Sequence, residues 1–167
     1  MNICNIQDIF IHDDGSLPSF NIDKLSREQV IEIYAWIKEN SLPLPKEITY
    51  WNNIKKRDVP IATEKNAAEL VTLGEADSFS HSIEKLKINN TEIEDLGVFV
   101  YPDSLELFYR QGSHWSTEQI NGILAVLQKI NSLAKNAEIR ACEENGTPLE
   151  SKYQLTLKTL LGKNKAD

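Results

Sequence analysis

Leu96–Trp115, LGVFVYPDSLELFYRQGSHW, decides how this chain is built. Two apolar-rich runs, 96–101 and 105–110, flank the turn-forming triplet Pro102-Asp103-Ser104, and that spacing predicts a β-hairpin. Upstream, Phe79, His81 and Ile83 alternate with polar residues, Lys85 continues the same parity, and Asn89-Asn90 marks a further turn. We therefore expect an antiparallel meander over 79–110. The segment has no room for the crossover helices that a parallel sheet needs between strands.

Downstream, Ser116 and Gln119 have the spacing of a capping box. They open a predicted helix over 116–135 with the stripe Ile120, Ile123, Leu124, Leu127 and Ile130. The same device recurs at Ser26 and Gln29, ahead of Val30, Ile33, Tyr34 and Ile37, and predicts a helix over 26–40 that stops before Leu42-Pro43-Leu44-Pro45. Thr147-Pro148-Leu149-Glu150 reads as a third helix start, for a helix over 148–161 closed by Gly162. The alternation of Tyr153, Leu155 and Leu157 argues for a strand there instead. A short helix is expected around Ala67, Leu70 and Val71, stopped at Gly74.

Residues 3–12 read as a strand ending in the turn Asp13-Asp14-Gly15-Ser16, with Asn21-Ile22-Asp23 and Ala137–Cys142 as further short strands. Ile48, Tyr50 and Trp51 suggest another strand, and Pro60 excludes a continuous helix. The fold class that follows is α+β. A single domain over 1–162 carries an antiparallel meander packed against two to four helices, and 163–167 is a frayed tail.

A chain of 167 residues with 41% hydrophobic and 26% charged residues has the composition of one ordinary globular domain. No apolar run approaches the length of a membrane helix, and MNICNIQDIFIHDD lacks the features of a signal peptide, so a cytoplasmic protein without membrane contact is expected. Cys4 and Cys142 lie far apart in no metal-like spacing and read as two half-buried thiols, with a disulfide or a reactive thiol as alternatives.

The net charge is −7. Residues 1–23 carry Asp8, Asp13, Asp14 and Asp23 with no Lys or Arg. Residues 75–110 carry Glu75, Asp77, Glu84, Glu92, Glu94, Asp95, Asp103 and Glu106 against Lys85, Lys87 and Arg110. These two segments hold more negative charge than the whole chain, so the remainder is slightly positive. Such a surface repels nucleic-acid phosphates and steers a basic protein towards itself; it equally serves as a solvated coat.

No phosphate loop, dinucleotide fingerprint, zinc spacing, EF-hand loop or nucleophile elbow occurs, so no catalytic residue, cofactor or metal site is expected. His12-Asp13-Asp14 reads as a structural turn, with a metal or acid–base site as the alternative. His81 reads as a structural histidine on a strand. Trp115 either packs as a hydrophobic staple on Ile120 or Ile123, or serves as an exposed aromatic anchor. Lys55-Lys56-Arg57, the only basic run, reads as a solvated loop or an anion contact.

A resemblance sharpens this reading. Leu96-Gly97-Val98-Phe99-Val100, a turn, an acidic strand, Tyr109-Arg110, Gly112 and Trp115 precede a long helix. Asp14-Gly15-Ser16-Leu17-Pro18 precedes a Leu-Ser-x-x-Gln helix start. Over 10–38 and 79–130 this order resembles small acidic bacterial immunity proteins of toxin–immunity systems. The resemblance implies stoichiometric binding that occludes the active site of a toxin, often a basic nuclease, without catalysis. Carboxylates would stand in for phosphates: first Asp103, Glu106, Glu92, Glu94 and Asp95, which one meander can present together, then Asp13 and Asp14, with Trp115 as anchor. The rival expectation is a small enzyme or ligand-binding protein with a polar cleft near His81, Arg110 and His114. A scaffold subunit is the third.

Overall fold

The computed structural model describes residues 4–162 of the chain. In chain order they form α1 (Cys4–Ile11), β1 (Ser19–Asp23), α2 (Arg27–Glu39), β2 (Thr49–Asn52), β3 (Arg57–Pro60) and α3 (Ala67–Thr72). There follow β4 (Phe79–Ile83), β5 (Leu86–Ile88), β6 (Thr91–Ile93), β7 (Leu96–Val100), β8 (Leu105–Tyr109), α4 (Thr117–Leu133), β9 (Glu138–Cys142) and α5 (Ser151–Leu160). The expected α+β architecture is present: five strands form one antiparallel sheet in the order β4-β7-β8-β1-β9, with helices around it.

Side-chain parity sorts the sheet into two faces. Phe20, Ile22, Val98, Val100, Leu105, Leu107 and Tyr109 turn inward, are buried, and meet the helices in one core. Phe10 of α1 sits between Phe20 and Tyr109, with ring centroids at 6.0 and 4.9 Å. On the other face, cross-strand register aligns Ser80, Phe99, Glu106, Asn21 and Arg140 in one row and Ser82, Gly97, Phe108, Ser19 and Cys142 in the next. Phe108 lies flat over Gly97. A Cβ at 97 would fall 2.0 Å from the ring, so only glycine fits.

The helix starts read from the sequence are largely in place. Ser26 and Gln29 form both hydrogen bonds of a capping box, and the Ser116 hydroxyl accepts from the Gln119 amide. Gly74 and Gly162, at φ +73° and +70°, end their helices as expected. Cys142 is a buried free thiol. The Cys4 side chain and the tail 163–167 lie outside the described residues.

Three expectations need correction. Residues 4–11 form a helix, not a strand, because Ile6, Ile9 and Phe10 share one face at helical spacing and are all buried; strand alternation would send Ile9 and Phe10 to opposite sides. The stretch 79–110 is not one meander. β4 pairs directly with β7, and β5 and β6 leave the sheet as a separate hairpin. Left-handed residues make this excursion: Lys85 and Asp95 at its corners, and Asn89-Asn90 (φ 47° and 67°) at the expected turn. Its Thr91 and Ile93 pack over Gly122 of α4.

The third correction is at α5, which starts at Ser151. Pro148 instead bridges Cys142, and the Leu149 amide donates to the Ala141 carbonyl, so the chain doubles back along β9 before turning helical. The helical reading of 153–158 stands, and the described residues hold five α-helices where two to four were expected. Gln154 then inserts its side-chain amide against the backbone of Ala141, donating to the carbonyl and accepting from the N–H. The strand expected around Tyr50 and Trp51 is β2, and it pairs with β3 in a hairpin that leaves Lys55 and Lys56 exposed at its tip.

Candidate functional site: the acidic loop end of the sheet

Because every neighbouring pair is antiparallel, the row Ser82, Gly97, Phe108, Ser19 and Cys142 marks one end of the sheet. The loops 12–18, 84–95, 110–116 and 143–150 all issue there. Among the described residues they carry Asp13, Asp14, Glu84, Glu94, Asp95, Glu143 and Glu144, none of them in an ion pair with lysine or arginine.

The larger of two clefts at this end has a volume of about 940 Å³ and lies between α1 and the start of α5. Ile9, Ile11, Leu149 and Tyr153 supply apolar wall, while Asp8, Asp14, Glu143 and Glu144 supply charge. His12 also lines it; among the described residues no lysine or arginine does. Ile11 is 41% exposed. The Asx turns read at Asp13 and Asp14 form: Gly15 N–H donates to Asp13 Oδ1 at 3.1 Å and Ser16 N–H to Asp14 Oδ1 at 2.9 Å. Bonds from Ser16 hold the Asp14 carboxyl below its ordinary pKa.

The smaller cleft, about 410 Å³, is lined by Glu84, Glu94, Asp95, Arg110 and Phe108 among others. Leu17 belongs to its wall, while Ser16 and Pro18 belong to the larger cleft, so the 14–18 turn is the ridge between them. Leu17 is 37% exposed on that ridge, and its amide donates to Glu144 Oε2. Asp95 pairs with His114, Oδ2 to Nε2 at 3.3 Å. Among the described residues, none of Asp8, Asp14, Glu84, Glu94, Asp95, Glu143 and Glu144 forms an ion pair with lysine or arginine.

The residues singled out from sequence are thus divided. Asp14, Glu94 and Asp95 line the two clefts, and Asp13 shapes the turn between them. Asp103 sits in the β7–β8 turn at the far end of the sheet, about 17 Å away by strand length, where its carbonyl accepts from Leu25. Glu106 lies mid-sheet on the outer face, opposite Asn21 and Phe99. Glu92 is exposed on the excursion hairpin and paired with Lys87 at 3.2 Å and Lys85 at 3.9 Å. One meander does not present all five together.

Trp115 is 3% exposed. Its ring packs 4.9 Å from Phe10 and 5.7 Å from Tyr109, and Nε1 donates to the Arg110 carbonyl at 2.7 Å. It fastens the loop end to the core and is not an exposed anchor.

The rival constellation does not assemble. Arg110 lines the smaller cleft and His114 pairs with Asp95, but His81 is buried on the inner face of β4. His81 Nδ1 lies 2.8 Å from the Ser82 carbonyl, which only accepts, so Nδ1 carries the proton and Tyr34 donates to Nε2 at 3.0 Å. Burial lowers the His81 pKa and raises that of Tyr34, and both stay neutral.

Sequence reasoning missed Asp8, Glu143 and Glu144 as site residues. Asp8 was hidden by the strand reading of 3–12. Glu143-Glu144-Asn145-Gly146 is a visible acidic turn, but only the fold sets it beside residues 8–18. No helix among the described residues is long and apolar enough to cross a membrane. Compared with known protein families, curated proteins and solved structures, the chain matches none.

Proposed function

We propose that this chain is a stoichiometric protein-binding inhibitor that engages a basic partner with the loop end of its sheet. Its sharpest form is a cytoplasmic immunity protein that occludes the active site of a bacterial toxin. The observation that supports this most is the set of unpaired carboxylates around an exposed Leu17. Same-sign charges without internal partners speed encounter with an opposite charge, and an apolar ridge among them supplies buried area once contact is made. In this reading the protein catalyses nothing and binds neither nucleic acid nor membrane.

The experiment is recovery of a tagged chain from its native cells at low and moderate salt, with partners read by mass spectrometry. One stoichiometric basic protein, lost as salt rises, is the expected result. Repeated recovery of the chain alone would overturn the proposal.

A further inference from the structure

We infer that the cleft between α1 and α5 is a receptor for a single arginine or lysine side chain carried by the partner protein. The partner's nature rests on the preceding reading; the recognition of the cation stands on the cleft itself. A basic side chain is a hydrocarbon stem with a charged head, and it needs apolar wall and carboxylates in one place. Ile11, Leu149 and Tyr153 offer the first, and Asp14, Glu143 and Glu144 the second. These three carboxylates come from two separate loops and pair with no lysine or arginine among the described residues.

The chain already shows the chemistry at the cleft's margin. Lys152 places its ammonium 4.7 Å from the centroid of the Tyr153 ring and 3.5 Å from Glu150, a cation between an aromatic face and a carboxylate.

Each wall is fixed by hydrogen bonds that need no occupant. On the α1 side the carbonyls of the last turn are capped: Ile9 accepts from Tyr109 Oη at 3.1 Å and Gln111 Nε2 at 2.9 Å, and Phe10 accepts from the Gly112 amide at 2.9 Å. On the α5 side the 143–149 turn is closed by Glu143 N–H to Thr147 O at 2.8 Å and by Leu149 N–H to Ala141 O at 2.9 Å. A site fixed before binding loses less entropy on binding. The volume of about 940 Å³ exceeds one side chain, and the exposed Ile11 leaves the mouth open to the backbone of a protein rather than closing over a free metabolite.

The test is an amide NMR titration of the full chain with N-acetyl-arginine methylamide, and in parallel with its uncharged isostere N-acetyl-citrulline methylamide. Saturating shifts confined to Ile9, His12, Gln111, Tyr153 and their neighbours are expected for the arginine probe. Binding of the citrulline probe should be weaker by about tenfold or more, as for loss of a charge-assisted pair. Glu143→Gln with Glu144→Gln should weaken the arginine probe about tenfold, while Glu94→Gln with Asp95→Asn in the other cleft should leave it unchanged. Tyr153→Leu supplies a second weakening variant that spares the carboxylates. Equal binding of the two probes, or unsaturable shifts spread over every acidic surface, would overturn the inference. The arms separate it from the functional reading. A probe that binds while no partner is ever recovered sinks the inhibitor; a partner whose capture survives the glutamine variants while the probe fails sinks the receptor.

Discussion

The two ends of the sheet use the same kinds of residue to opposite effect. Where β1 ends, charge is matched within the chain: Asp23 takes two bonds from the Arg140 guanidinium, Lys24 meets Glu138 at 2.9 Å, and Asn136 ties the Lys24 carbonyl to Gln29. Where β1 begins, Asp8, Asp14, Glu143 and Glu144 stand around a cleft and pair with no lysine or arginine among the described residues. Matched charge fixes local geometry. Unmatched charge of one sign adds repulsion to the folded state and does nothing for packing. The first end is explained by folding; for the second, folding supplies no reason.

Substitutions probe that contrast, and the largest effect falls where the acidic end is bolted to the core. Trp115→Ala should destabilise the fold by about 3–5 kcal/mol through loss of a buried indole, read by urea unfolding. Loss of partner binding with unchanged stability would instead restore Trp115 as a surface anchor. Next, Gly97→Ala sets a methyl against the Phe108 ring and should cost about 1–3 kcal/mol, seen as a lower urea midpoint.

A pH effect of intermediate size comes from the core between the two ends. The pKa of His81 lies below its ordinary 6.5 in the fold, so below that pH the unfolded chain binds the proton that the native state refuses. Stability tied to this group is present above about pH 6.5 and is lost as pH falls towards the lower native value, with the nearby Lys38 opposing protonation as well. Urea midpoints at pH 7.5 and 5.5 should diverge more in the native chain than in a Tyr34→Phe, His81→Phe double variant; equal divergence would remove His81 as the cause.

The smallest effects test the contrast directly. Asp23→Asn at the matched end should cost about 0.5–1 kcal/mol, the range for a half-exposed pair. Glu143→Gln with Glu144→Gln at the unmatched end should leave the melting temperature within about 2 °C or raise it, since repulsion is relieved and no ion pair is lost. If the second variant melted lower than the first, the two ends would not differ in kind.

Local signals in the sequence carried most of the fold. Capping at Ser26 and Ser116, the Asn89-Asn90 turn, the Gly74 and Gly162 stops and the 96–110 hairpin are all set by neighbours within a few residues. The failures are those where a distant partner decides. Isoleucines favour strands, but α1 is held helical by the site its Phe10 fills among Phe20, Tyr109 and Trp115. Thr147-Pro148 is a sound helix start that loses to pairing with β9. The site was legible as charge and not as place: Asp14, Glu94 and Asp95 were singled out, but their grouping with Glu143 and Glu144 needs strands remote in sequence to end side by side.

One feature outlives any question of partner. A sheet edge is a template, and any strand of matching length can dock on it, including a misfolded copy of the same chain. At Ala141 the template is plugged: the Gln154 amide imitates a neighbouring peptide group, offering one donor and one acceptor to the backbone of β9. Together with the Leu149 amide and the Pro148 bridge to Cys142, this side chain takes up the backbone groups that a further strand would need at that point of the edge.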